Sequence, residues 1–375
     1  MDKLPRKPLL KAYLNVVPVN DELIQLRSQE NIILLKGSAV TNILPDLLPL
    51  LDGSNTMNDI YSKLSYCTQE VVNEAILLLK SHYLLEDAEC KYESKLEQEE
   101  IEKFKNQLQF FSLFSERVLP NASVIDKYKL FDSLKKSSCL VIGLKRCGRM
   151  IAKKLVQNGL GTIYLYDKTL QEYNLVETKY SYEDIIKELK GINEKCNVFY
   201  SDKNDSLKKV IGKVDLIIFA EDIALQSDLL KVNKLCIDAD KPWISLRVGE
   251  LKFQIGPMVV PNQTACYECF QNRYNGNLSF YEEEMQFEKY KEDNWNQMET
   301  CGSDLFYSMA ANYLVWEVIK QITKIFTPVT LSRVITFDIL TLETSIDSIL
   351  KMPRCPVCSN IEKKPFVEPY AVYLP

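Results

Sequence analysis

Cys139-Leu140-Val141-Ile142-Gly143-Leu144-Lys145-Arg146-Cys147-Gly148 is the stretch that decides the fold. Its first four residues form a continuous apolar run, which reads as a buried parallel strand. A glycine turn follows, and a helix is expected from Gly148 to Gln157. Thr162-Ile163-Tyr164-Leu165-Tyr166-Asp167 reads as the next strand, and Val214 to Ala220 as another. Strand, helix and strand at this spacing predict a doubly wound α/β unit. In such a unit a G-x-G-x-x-G turn lets backbone N–H groups approach a phosphate at the helix N-terminus. Here Gly143 and Gly148 keep the outer positions, and Lys145 replaces the middle glycine. A side chain there obstructs close approach, although Lys145 and Arg146 add positive charge. Asp167 sits where a ribose-binding acid belongs. The simpler reading is a strand–helix turn that keeps its shape without the ligand.

The α/β pattern extends outward from this turn. Trp243–Arg247 and Gln254–Val260 read as further strands, Asp304–Ile322 as an amphipathic helix, and Arg333–Leu340 with Glu343–Ile349 as a final antiparallel pair. Ahead of the body, Glu93 to Val118 is charged and then aromatic, which predicts a joining helix ended by Pro120-Asn121. The front of the chain differs. Tyr13–Pro18, Leu23–Arg27 and Asn31–Gly37 read as short strands, the last two joined by a tight hairpin at Ser28-Gln29-Glu30. Helical patterns follow over Ala39–Leu51, Thr56–Leu64 and from Thr68 onward, the last with Val71, Val72, Ala75, Ile76, Leu79 and Tyr83 at helical spacing. Three strands and three short helices predict a winged helix-turn-helix. The expected division is residues 1–90, a linker helix over 91–134, and an α/β domain over 135–375.

The chain of 375 residues carries 46% hydrophobic and 26% charged residues, an ordinary globular composition. Its net charge of −5 argues against a nucleic-acid partner, which would favour a basic surface. There is one histidine, His82, so every mechanism needing two is excluded. Eleven cysteines form an odd count over a long chain, unlike a secreted disulfide framework. No stretch reads as a targeting signal or approaches the ~20 apolar residues of a bilayer span. A cytoplasmic protein with no membrane partner is expected.

Cys266-Tyr267-Glu268-Cys269 and Cys355-Pro356-Val357-Cys358 carry the most specific chemistry. A two-residue gap lets both sulfurs of each turn face one ion, and zinc prefers four tetrahedral thiolates. Cys266, Cys269, Cys355 and Cys358 leave no position for water, so the expected zinc is structural. Four unrelated core cysteines, or a redox pair, are the alternatives.

The turn at Gly143–Gly148, the strand ending in Asp167, Asn174-Leu175, Ile218-Phe219-Ala220-Glu221-Asp222 and the late cysteine pairs together resemble the ThiF/ubiquitin-activating superfamily over roughly residues 120 to 360. That resemblance implies a Rossmann-like fold and an ATP- and magnesium-dependent adenylation of a carboxylate. It maps Gly143 and Gly148 to the phosphate turn, Asp167 to the ribose and Asp222 to the magnesium side. The family's second acid after Asp167 is Thr169 here, and no arginine follows Asn174-Leu175. The implied nucleotide site is therefore degenerate, and ATP is not expected on this chain.

With the winged-helix module in front, and Ile255-Gly256-Pro257-Met258-Val259-Val260-Pro261 just before the first cysteine pair, nearly the whole chain resembles the leader-peptide-binding partner proteins of azole-forming cyclodehydratases. This resemblance implies a subunit without activity of its own. It binds the leader of a ribosomally made precursor peptide and activates a separate YcaO enzyme that forms thiazoline and oxazoline rings. A flavin dehydrogenase of the same pathway and a homodimer are left open. The leader is expected to add a strand along Asn31, Ile32, Ile33, Leu34, Leu35 and Lys36, with Val72, Ala75, Ile76 and Leu79 as the facing wall. The rival expectations are an active adenylating enzyme and a winged-helix transcriptional regulator with a ligand-sensing α/β domain.

Smaller candidates have plain readings. Cys301 before a helix reads as structural, because no base is identifiable. Glu282-Glu283-Glu284 with Glu288 reads as a solvated face or a docking surface. The aromatic, proline-rich residues 365–375 read as a frayed end or an arm that docks on the partner.

Overall fold

The computed structural model describes residues 4–89, 96–115, 125–168, 181–201 and 207–359. Contacts divide the chain into two compact units, Met1–Asp132 and Ser133–Pro375.

In the first unit, β1 (Pro8–Leu10) pairs antiparallel with β5 (Leu85–Asp87), and β2 (Asn15–Asn20), β3 (Leu23–Arg27) and β4 (Ile32–Lys36) form a separate meander in the order β2-β3-β4. Alternation decides which side is buried. Ile24 and Leu26 of β3 enter the core beside Leu35 and Ile33 of β4, and the residues between them face outward. The single helix expected over Ala39–Leu51 is instead broken into α1 (Ser38–Asn42), α2 (Leu44–Leu47) and a 3-10 turn (Leu48–Leu50). Pro45 and Pro49 cause the breaks, since each lacks the N–H of a continuing helix and sits at the start of the next turn. α3 (Met57–Lys63) opens with a capping box between Thr56 and Asp59. α4 (Gln69–Ser81) follows Thr68, whose side chain makes no capping bond.

The expected joining helix is also interrupted. α5 (Gln98–Lys103) and α6 (Lys105–Ser112) meet at Phe104, which leaves helical geometry and packs its ring 4.8 Å from Phe131. Pro120-Asn121, expected to end that helix, lies outside the described residues. Glu86 is buried and accepts hydrogen bonds from Ser115 and, at 2.5 Å, from Lys127. Burial pushes this carboxyl up, but the Lys127 charge and the hydrogen bonds outweigh it and hold Glu86 below the ordinary range.

α7 (Lys127–Lys136) leads into the second unit. There β6 (Ser138–Ile142), α8 (Arg146–Gln157), β7 (Thr162–Tyr166), α9 (Tyr182–Ile192), β8 (Asn197–Tyr200), α10 (Leu207–Lys213), β9 (Leu216–Phe219), α11 (Gln226–Asp238) and β10 (Trp243–Val248) alternate strand and helix. Then come β11 (Lys252–Val259), α12 (Tyr267–Asn275), α13 (Tyr281–Asn294), α14 (Asp304–Thr323), β12 (Arg333–Asp338) and β13 (Thr344–Ser348). All eight strands join one sheet in the order β13-β12-β11-β10-β9-β6-β7-β8. The β8-β7-β6-β9-β10 half is parallel and the rest antiparallel. Strand order reverses between β6 and β9, which opens a crevice at their carboxyl ends. β8, α9, α10, α11, α12 and α13 have no counterpart in the sequence expectation.

Candidate functional site

The crevice is lined by the turn after β6 and by Ala220-Glu221-Asp222 after β9. Gly143 has φ +91°, and a Cβ there would lie 2.8 Å from the Ala220 carbonyl oxygen. A Cβ on Gly148 would lie 1.6 Å from the Gly143 carbonyl oxygen, so this glycine lets α8 press against the turn. Lys145, at the middle position, has an ordinary negative φ of −71°. Both glycines are thus demanded by packing, whether or not a ligand binds.

Three of the N–H groups that such a turn could offer a phosphate are engaged by the protein itself. Leu144 donates its N–H to Asp167 Oδ2 at 2.7 Å. Arg146 and Cys147 donate theirs to the two carboxylate oxygens of Asp222, each at 3.2 Å. Asp167, Glu221 and Asp222 are all buried. Burial, then repulsion from Asp167, pushes Glu221 up to about 8. Burial also raises Asp222, and the N–H bonds from Cys147 and Arg146 offset part of that rise. The Tyr182 hydroxyl bridges the backbone N–H and carbonyl of Asp167 at 3.1 Å, and burial pushes it up to about 12. The Arg146 guanidinium lies over the Tyr307 ring at 5.5 Å and donates to the Gly302 carbonyl at 3.4 Å. Gly143, Gly148, Asp167 and Asp222 therefore meet at one place; Thr169 and Asn174-Leu175 lie outside the described residues. The sequence places Glu221 beside Asp222 at a strand end but assigns it no role, and only the fold shows it buried in the crevice.

The two cysteine pairs close on each other. Cys266 is the N-cap of α12 and Cys269 lies in its first turn, while Cys355 and Cys358 follow β13. All four are buried, with sulfurs within 4.8 Å of one another. The Cys266–Cys355 and Cys269–Cys358 separations are 3.6 Å and the Cys266–Cys269 separation is 3.8 Å. Four thiolates at ~2.3 Å from a zinc ion lie ~3.8 Å apart, whereas a disulfide needs ~2.05 Å. The cluster could hold a metal ion, and its dimensions fit a tetrahedral one. The Met352 N–H donates to Cys269 Sγ at 3.3 Å, the kind of bond that steadies a thiolate.

In the first unit, Ile32 and Leu34 are 54% and 49% exposed on the outer side of β4, while Ile33 and Leu35 pack against the core. β4 is an edge strand without proline or register shift. The opposite edge, β2, is interrupted by Pro18 and by a register shift between Pro18 and Asn20. Val72, Ala75, Ile76 and Leu79 sit in the core, so they do not present a wall to an incoming strand. The exposed apolar residues of α4 are Val71 and Leu78. α4 turns one apolar stripe inward, and helical spacing alone does not say which of two adjacent stripes that is. A groove of about 680 Å³ lies on the β2 side, lined by Val16, Pro18, Val19, Val40, Pro45 and Leu48 among others.

A doubly wound sheet with a glycine turn at its switch point, and a buried four-cysteine group in the same unit, defines a Rossmann-type fold. The chain belongs to the ThiF family, whose pattern matches residues 106–359. No curated protein matches the sequence. Among solved structures it is similar to Escherichia coli MccB, at 17% identity and a TM-score of 0.65, with 94% of this chain and 99% of that one covered. MccB bound to AMPCPP and selenomethionine MccA gives 18% identity and the same TM-score and coverage. The heterocyclase TruD is similar at 18% identity and a TM-score of 0.61, over 95% of this chain but 43% of TruD. At these identities the likeness is one of fold. Among the described residues, no helix is long and apolar enough to cross a membrane.

Proposed function

We propose that this chain captures the leader of a ribosomally made precursor peptide and delivers it to, and activates, a YcaO-type ATP-dependent cyclodehydratase. The observation that carries the reading is the unguarded edge of β4. Proteins blunt free edges with proline, bulges or short strands, and β2 carries two of these devices while β4 carries neither. An extended leader adds to such an edge through backbone hydrogen bonds, with Ile32 and Leu34 beside it for its apolar side chains. On this reading residues 1–90 form a winged helix-turn-helix, 91–134 a linker and 135–375 the ThiF-type domain. Solved complexes of MccB with MccA, and the likeness to the heterocyclase TruD, support a peptide partner.

The body acts as scaffold. Asp222 and Asp167 occupy the N–H groups that would hold a phosphate, which supports a subunit that adenylates nothing. The four cysteines hold structural zinc. The gain from the arrangement is effective concentration, since tethering the leader makes the core's encounter with the cyclodehydratase intramolecular. A second reading, an active adenylating enzyme, draws on MccB, a protein of the same fold solved with ATP. Pyrophosphate exchange with the purified chain and a candidate precursor separates the two. Exchange abolished by Asp222→Ala overturns our reading; leader binding without exchange upholds it.

A further inference from the structure

α13 faces the wrong way for a helix of a folded body. None of its residues is buried. Its half-buried side carries Glu284, Met285, Glu288 and Lys291. Phe280, just ahead of it, and Phe287 and Tyr290 fall on another stripe and are 72%, 49% and 56% exposed. A surface helix normally turns its apolar stripe to the core and its charges to water. An aromatic stripe held open to solvent marks an interaction surface. A helix of this length gains little stability in water from propensity alone, so a partner that covers the stripe also steadies it.

Charge says what that partner is. From Tyr281 to Asn294 there are six acidic residues against two lysines. Glu283 lies within the aromatic stripe, Glu282 and Asp293 lie to one side of it, and on the other side the Lys291 ammonium sits 5.3 Å from the Phe287 ring, so the acids outnumber but do not wholly enclose the aromatic residues. Two copies of α13 laid face to face would oppose like charges, and lipid headgroup or nucleic-acid phosphates would be repelled.

We propose that α13 is a docking helix for a second protein whose matching surface is apolar and edged with lysine and arginine. Aromatic anchors supply affinity at the centre of such a contact, and the acidic border supplies orientation and rate of encounter. The inference rests on the reading above in one respect, that the second protein is the ring-forming enzyme. It makes the acidic run at Glu282–Glu284 part of an interface.

The test uses the full-length chain, its leader peptide and the YcaO enzyme of the same pathway. Binding of that enzyme is measured for the wild type, for Phe287→Glu/Tyr290→Glu and for Glu282→Lys/Glu283→Lys, at about 50 mM and about 300 mM salt. Each double variant should weaken enzyme binding at least about tenfold and leave leader affinity unchanged, and salt should weaken the wild-type complex. Equal enzyme binding by the wild type and both variants overturns the docking role of α13 and leaves leader capture standing. A wild-type chain that grips the leader but never binds the enzyme removes the delivery reading and this inference with it. Sedimentation showing a wild-type dimer that the aromatic variant splits gives the stripe to a second copy, and also overturns the proposal.

Discussion

Asp222 holds both of its carboxylate oxygens against the start of α8, with Oδ1 accepting the Cys147 N–H at 3.2 Å and Oδ2 the Arg146 N–H at the same distance. The first turn of a helix has N–H groups without partners and a partial positive charge, which is why phosphates settle there. In this chain the anion is supplied from the end of β9. The turn keeps its glycines because packing demands them, and two of the N–H groups at the start of α8 donate to a side chain of the same protein.

Asp222→Ala should therefore lower the stability of the second unit by about 1–2 kcal/mol, the usual cost of losing a helix cap. Asp222→Asn keeps one acceptor and should cost less. Urea unfolding of the three proteins measures this; an alanine variant as stable as the wild type would show that the contact contributes nothing.

Glu221 makes stability depend on pH in the opposite sense from most carboxylates. Its folded value is raised to about 8 from 4.5, so the folded state holds a proton that the unfolded chain has released. Stability is then complete below the unfolded value and falls as pH rises from about 4.5 through 8. Glu221→Gln should remove that slope and stabilise the protein at pH ~8 by up to about 4 kcal/mol. Melting temperatures taken from pH ~5 to ~8 read it out, and parallel curves for wild type and variant would refute it.

Metal content follows from the sulfur geometry. Purified protein should carry about one zinc per chain by elemental analysis. Cys266→Ser, or a strong chelator, should release it and lower the melting temperature of the second unit by several degrees, since binding energy at a structural site is folding energy. A metal-free preparation with unchanged stability would leave the four thiols as core residues.

Leader capture at β4 predicts a division within one strand. Leu34→Lys alters an exposed side chain, so it should preserve the fold and weaken a labelled leader peptide at least about tenfold in fluorescence polarisation. Leu26→Ala removes a fully buried side chain of β3 and should cost about 2–5 kcal/mol of stability. Undiminished leader affinity in Leu34→Lys would move the peptide elsewhere; the groove beside Val16 and Pro18 is the next place to examine.

Sequence alone determined those features whose cause is local. The apolar run at Cys139–Ile142 specifies a buried strand, Gly143 and Gly148 specify a close turn, and each CxxC motif specifies two sulfurs that can face one ion, because strand burial, backbone sterics and ligand spacing act over a few residues; that the two pairs, 89 residues apart, close on each other is a tertiary outcome. Alternation in β3 likewise sets its inward face, whereas the unbroken apolar run of β4 does not say which of its faces is buried. What only the tertiary structure decided depends on partners distant in sequence. The turn does not reveal that Asp222, 76 residues beyond Arg146, caps α8. The spacing of α4 does not tell that Val72, Ala75, Ile76 and Leu79 face the core while Val71 and Leu78 stay outside. Composition does not show that α13 turns its aromatic stripe to water. Each is an outcome of which surfaces the whole chain can bury at once, and that is settled by packing.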